Sequence, residues 1–250
     1  GLESKHLVIS RWTSYHGATS GALSVTGMQG RRKKFTPLLL NWPHILPAYC
    51  YRCPFGKSYP GCDLSCAREL EKTIIEIGAD KVMAFIAEPV VGAAGAALVP
   101  PPEYWPMVRD ICSRYDILLI ADEVITGFGR TGKPFAVNHW DVVPDMITMA
   151  KGLSGGYAAL GAVGVNVKIR GIFEEKGIPF DHVFTYMGNP ISTAAAHAAL
   201  QIWEEENLTE QAARMGEYLF EQLAGLKQNH PIIGDVRGLG LMAGIEFIAD

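Results

Sequence analysis

The chain has 250 residues, 48% of them hydrophobic and 19% charged, which is enough apolar material for a sizeable core in one or two domains. A formal net charge of -4 gives no electrostatic reason to expect nucleic acid or an anionic membrane as partner. No opening segment combines a basic start, an apolar stretch and a small-residue cleavage site, and no apolar run is long enough to cross a bilayer, so the expectation is a soluble cytoplasmic enzyme or binding module.

Leu7 to Ser10 reads as a strand, followed by a polar loop with Trp12-Thr13-Ser14-Tyr15-His16-Gly17 and a small-residue segment through Gly30. Residues 31 to 66 show no clear periodicity. A stretch this long usually marks a functional or interface excursion from the main domain. It holds a basic run, Arg31 to Lys34, most simply a solvated loop, and four of the five cysteines: Cys50, Cys53, Cys62 and Cys66. Their C-x2-C and C-x3-C spacing can wrap a zinc ion. The flanking residues are not strongly zinc-ribbon-like, so free or redox-active thiols in an interface loop are the plainer reading, and no metal is assigned.

From Leu70 the pattern is regular. Leu70 to Ile77 has helical spacing, and Val82 to Ala87 is a buried strand ending at Glu88-Pro89. Glu103 to Tyr115 is a helix with Trp105, Val108 and Ile111-Cys112 as its apolar stripe. Ile117 to Ala121 is a second buried strand, ending at Asp122-Glu123. Met146 to Met149 is a third, leading to Lys151, and Ala162 to Val165 a fourth. Ser192 to about Glu205 and Thr209 to Leu226 read as helices, and Leu241 to Phe247 as a further strand. Short, continuously apolar strands separated by a helix predict an α/β fold, a mostly parallel sheet with helices on both faces. The opening directly into a strand and the close upon one lead to the expectation of a piece of a longer protein.

Glu88, Asp122 and Lys151 all fall at the ends of buried strands, where open α/β sheets bind ligands. A lysine on a turn after such a strand is a competent amine nucleophile toward an aldehyde. An aspartate ending a neighbouring strand can keep a pyridinium nitrogen protonated, which strengthens the ring as an electron sink. Taken singly, a strand-end lysine is usually a solvated surface residue and a strand-end aspartate a helix cap.

The strings read whole point further. Leu118-Leu-Ile-Ala-Asp-Glu-Val-Ile-Thr-Gly-Phe-Gly-Arg-Thr-Gly132 and Pro144-Asp-Met-Ile-Thr-Met-Ala-Lys-Gly-Leu-Ser-Gly-Gly-Tyr157 resemble the class III pyridoxal-phosphate-dependent aminotransferases. Ser14-Tyr-His-Gly-Ala-Thr19, Ile86-Ala-Glu-Pro-Val90 and Phe184-Thr-Tyr-Met-Gly-Asn-Pro190 match further blocks in the same order. The resemblance implies a fold-type I large domain on a seven-stranded, mostly parallel sheet, with pyridoxal 5'-phosphate as cofactor. It implies Lys151 as the Schiff-base lysine and proton shuttle, and Asp122 as partner of the pyridine nitrogen. Val124 and Tyr15 then flank the ring on opposite faces, His16 and Gly17 share the shelf of Tyr15, and Glu88 sits near the cofactor and substrate gate. Thr185 resembles the threonine that reaches the phosphate of a neighbouring subunit's cofactor, so a homodimer with a shared site is implied.

Ile125 departs from the glutamine of acetylornithine-type and 4-aminobutyrate-type members and resembles the omega-aminotransferase-like branch. On this likeness, residues 1–233 form the large domain and 234–250 begin a small one. The family's segments upstream and downstream, which include a phosphate loop and a carboxylate-binding arginine, lie outside the sequence. The implied reaction passes an amino group from an amine or ω-amino acid to a 2-oxo acid. A racemase, aminomutase or decarboxylase would begin from the same motifs, and an inactive fragment or non-catalytic binding protein stands as the reading from another class. Intact Lys151, Asp122 and Thr185 weigh against the last.

Overall fold

The computed structural model describes residues 4–248. In chain order the elements are β1 (Leu7–Arg11), α1 (Ser20–Val25), α2 (Gln29–Arg32), β2 (His44–Ile45), α3 (Ser65–Ile77), β3 (Val82–Ala87), α4 (Tyr104–Arg114), β4 (Leu118–Asp122), β5 (Met146–Met149), β6 (Ala162–Val165), α5 (Val167–Lys176), α6 (Pro190–Glu205), α7 (Leu208–Asn229), β7 (Ile233–Leu239) and β8 (Met242–Phe247). Short 3-10 turns occur at Thr36–Leu38, Ala136–Trp140 and Lys151–Ser154.

The main sheet has the order β2-β1-β3-β4-β5-β6, with every pairing parallel except β5 with β6. Central strands covered on both faces need apolar residues at successive positions, which is why β3 and β4 read as continuous apolar runs. The resemblance implies seven strands; the sheet holds six among the described residues. One comes from the segment read as irregular, because His44 and Ile45 pair with Ser10 and Arg11.

On one face, α3 contributes Ala67, Leu70 and Ile74, and α4 contributes Tyr104, Trp105, Val108 and Ile111, all against Ile9, Phe85, Ala87 and Leu119. Full burial of a side chain such as Leu70 or Ile74 contributes about 1.5–3 kcal/mol. The opposite face, with Val8, Ala84 and Ile86, is covered by Val25 of α1 and by Trp42, and Leu118 and Ile120 are only partly buried there. Trp105 ties the first core to the site, since its indole N–H donates to the Pro89 carbonyl at 3.1 Å. Replacing it with alanine costs about 3–5 kcal/mol, from lost apolar burial together with the cavity left behind.

The structure extends several predicted elements and adds others, among them α1, α2, β2, α5 and β7. α3 begins at Ser65 rather than Leu70, and α5 was not anticipated. Asn166 caps α5 by accepting from the Ile169 N–H at 2.9 Å, and Gly177 ends it in left-handed backbone. The segment read as leading into a final strand is itself β7, which forms an antiparallel hairpin with β8. Arg237 fastens this hairpin to the loop after β3 by donating to the carbonyls of Gly95 (2.9 Å) and Ala96 (3.0 Å), and to Asp235 and Glu246 at 2.8 Å each. Tyr49 and Arg52 also donate to Glu246. Burial alone would raise the Glu246 carboxyl, yet these three donors and the Arg237 charge lower it to about 2. No helix of the described residues is long and apolar enough to cross a membrane.

Candidate active site

Parallel pairing brings the carboxyl ends of four strands to one edge of the sheet. Ala87 lies beside Ala121, and Asp122 beside Thr148, so Glu88, Asp122 and Lys151 follow in neighbouring positions. Arg11, at the end of β1, joins them. It is buried, its guanidinium donates to the Glu88 carbonyl, and it lies over the Tyr104 ring at 5.8 Å. Above this floor a small pocket is lined by Tyr15, His16, Gly17, Glu88, Asp122, Val124, Ile125 and Lys151. Seven of the eight residues singled out from the sequence therefore converge. Thr185 does not: it is exposed, in the turn at 185–188.

The carboxylates of the floor have defined donors. Asp122, 4% exposed, accepts from His16 Nδ1 at 2.7 Å through Oδ2 and from the Val124 N–H at 3.1 Å through Oδ1. A carboxylate only accepts, so Nδ1 carries the proton of that bond. His16 lines the pocket beside Tyr15 and Gly17, and its ring also braces a carboxylate, with Nε2 buried and without a protein partner. The His16 N–H is held by the Thr26 hydroxyl at 2.9 Å. Glu88 accepts from the Tyr15 N–H at 3.0 Å and the Gly92 N–H at 2.8 Å. Burial pushes its carboxyl above the usual range, against the downward pull of His16 and these two amides. A Cβ at Gly92 would lie 2.5 Å from Ile125 Cδ1, so a side chain there would push this pocket-lining group aside.

Lys151 opens a tight turn. Its φ of +46° lies in the left-handed region, an uncommon conformation for a residue with a Cβ that often marks a functional position. Leu153 and Ser154 are buried behind it while Lys151 is exposed, so the turn anchors by its back and presents the amine. The Ser154 hydroxyl fixes the turn through the Ala158 carbonyl at 2.6 Å. A second, more open hollow lies on the other side of Lys151 and Ile125, lined by Phe128, Leu208, Met215 and Leu241, with Arg130 at its margin.

Two supporting residues escaped the sequence reading. Arg11 follows the apolar run of β1 just as Glu88 and Asp122 follow theirs, a signal available in the string. Glu123 is fully buried and pins the loop after β4, accepting from the Ala136 and Val137 N–H groups at 2.9 Å and from the Thr126 hydroxyl. Burial raises its carboxyl as well.

A mostly parallel sheet with a lysine, an aspartate and an aromatic loop at its carboxyl edge is the architecture of the fold-type I pyridoxal-phosphate transferases. A structure of an amine transaminase from an uncultivated Pseudomonas species in the PLP-bound form superposes with a TM-score of 0.94 at 39% identity, covering 99% of this chain and 56% of that one. The chain belongs to the family "Aminotransferase class-III", whose model matches residues 2–250. It is 39% identical over 249 residues to a putrescine–pyruvate aminotransferase of Pseudomonas aeruginosa, covering 99% of this chain and 54% of that protein. It is also 39% identical over 247 residues to a leucine/methionine racemase of Thermococcus litoralis, covering 98% of this chain and 54% of that one. The chain thus spans a little over half the length of the relatives it matches.

Proposed function

We propose that this chain carries the catalytic centre of a pyridoxal-phosphate-dependent transaminase, which moves an amino group from an amine or ω-amino acid to a 2-oxo acid. The observation that carries the reading is the pocket in which Lys151 and a buried, histidine-braced Asp122 share one cavity flanked by Tyr15 and Val124. The pocket's chemistry fits the cofactor. A buried carboxylate with only two protein donors keeps acceptor capacity for a protonated ring nitrogen, and apolar and aromatic groups flank the space between it and the amine. When bound, pyridoxal phosphate supplies an aldehyde and an electron sink for the substrate carbanion.

The chain's own groups divide the remaining work. Lys151 would hold the cofactor through Nζ, and its amine, once free, would take and return the substrate proton as general base and acid. Asp122 would hold a protonated ring nitrogen, and the bond from His16 fixes the carboxylate's orientation. Tyr15 and Val124 would hold the ring between them, with Gly17 beside them in the pocket lining. Glu88, through the Tyr15 and Gly92 amides, holds the loop at the pocket mouth. The apolar hollow beyond Ile125 gives room for the organic part of a substrate. Thr185, exposed beside Phe184, Tyr186 and Met187, serves the pocket of a second copy in a homodimer. An apolar surface of this kind marks an interaction site.

Lys151→Ala in the complete protein should abolish the visible absorbance of covalently held cofactor and lower turnover by on the order of 10² to 10⁴. An unchanged spectrum overturns the assignment. The racemase among the relatives favours one second reading, inversion at an amino acid carbon without net transfer. Incubation with donor amine alone separates the two: accumulation of the amine form of the cofactor supports transamination, and retention of the aldehyde form with loss of substrate chirality supports racemisation.

A further inference from the structure

The cysteines of the 50–66 segment take no part in the pocket, yet the fold gathers them. Cys50, Cys53, Cys62 and Cys66 line one small hollow, together with Tyr59 and Lys57. All four are free; Cys50 is exposed, Cys53 half-buried, and Cys62 and Cys66 buried. Local geometry explains the gathering. Asp63 and Leu64 both take left-handed backbone, and the Cys62 carbonyl accepts from the Ser65 N–H and hydroxyl, which turns Cys66 into the first turn of α3. On the other side, Tyr49 and Arg52 flank Cys50 and hold its loop to Glu246 of the β7–β8 hairpin. Among the described residues no three His, Cys, Asp or Glu side chains form a set placed to hold a metal ion.

We propose that this hollow is a site of reversible disulfide formation, in which Cys50 or Cys53 becomes joined to Cys62 or Cys66 by exchange with a low-molecular-weight disulfide. The thiolate of the accessible partner attacks the small disulfide, forming a mixed disulfide and releasing one small thiol. The buried partner then attacks the protein sulfur of that bond, forming the internal disulfide and releasing the second small thiol. Two protein thiols lose two electrons and two protons, and the small disulfide takes them up. The bond staples the loop at 50–53 to the start of α3, while the same loop remains tied to the hairpin through Glu246. A cross-link of this kind restricts the unfolded chain and so stabilises the folded one.

Burial raises the Cys50 thiol and brings Cys66 to about 11, so the thiolate fraction at neutral pH is small and exchange should accelerate as pH rises. The test is incubation of the purified protein with oxidised glutathione, followed by alkylation and tryptic peptide mass spectrometry. Cleavage after Lys34, Arg52, Lys57 and Arg68 separates Cys50, Cys53 and the Cys62/Cys66 pair into three peptides. The expected product links peptide 35–52 or 53–57 to peptide 58–68, with an upward shift in Tm that reductant reverses. Cys112→Ser should leave the link unchanged, and Cys62→Ser combined with Cys66→Ser should remove it. The proposal is overturned by links confined to Cys50–Cys53 or Cys62–Cys66, by links only between chains, by five thiols still free after prolonged incubation at alkaline pH, or by stoichiometric zinc protecting the cysteines.

Discussion

The floor of the pocket and the segment from Tyr157 to Ile191 are built on opposite terms. In the floor every carboxylate is buried and held by named donors: Glu88 by two backbone amides, Asp122 by His16 and Val124, Glu123 by two amides and a hydroxyl. In the second region large apolar side chains stand in solvent: Tyr157 is 88% exposed, Tyr186 82% and Phe180 68%. One region satisfies its carboxylates within the described residues, and the other leaves large apolar groups uncovered there. In the proposed homodimer the first would be one chain's own half of the site and the second the half lent to a partner.

Four measurements break or sharpen that contrast. The largest effect is expected from Asp122→Asn, which keeps the shape of the floor and removes its charge. Turnover should fall by on the order of 10² to 10³, as when electrostatic stabilisation is lost from a dry site, with the fold retained by circular dichroism. His16→Phe leaves Asp122 short of one donor, a loss of about 1.5–3 kcal/mol for a bond to a charged group, read as a lower denaturant midpoint and weaker cofactor retention. Thr185→Ala should leave the stability of the isolated chain unchanged, because the side chain is exposed. In the assembled protein it should weaken phosphate-dependent cofactor retention by about tenfold, the equivalent of one hydrogen bond. Equal loss in a form locked as monomer would place Thr185 in its own chain's pocket instead.

The smallest effect concerns pH. The Glu246 carboxyl lies at about 2 in the folded chain, below the unfolded value of about 4.3. Its contribution to stability is therefore full above pH ~4.3 and is lost as pH falls toward 2. Glu246→Gln should lower Tm by a few degrees at neutral pH and flatten the acid limb between those values. Glu88 has the opposite sign: burial raises its folded value, so its contribution is lost as pH rises through that value. An acid limb unchanged in Glu246→Gln would show that the hairpin is held by other contacts.

Much of the floor was legible because strand ends announce themselves. β3, β5 and β6 have the residues expected from their apolar runs, and the lysine and carboxylates follow from where those runs stop. The histidine bond to Asp122 was not legible, since it joins residues 106 apart and depends on how the loop after β1 folds over the sheet. Helix α5 was missed for a different reason. Ile172, Phe173 and Val167 face solvent, so no buried stripe imposes a helical period, and only Asn166 and Gly177 mark its ends. β2 is too short to carry a pattern of its own; its two residues become a strand because β1 offers them a free edge.

The antiparallel return of β6 beside β5 has one consequence for motion. No crossover intervenes, so the stretch between Met149 and Ala162, which face each other in the last rung of the ladder, is pinned at both of its stems. The main chain at Lys151 cannot slide along the strand axis without unzipping two neighbours. In the proposed reaction, Lys151 would move its amine by swinging its four methylenes from this pinned stretch of main chain.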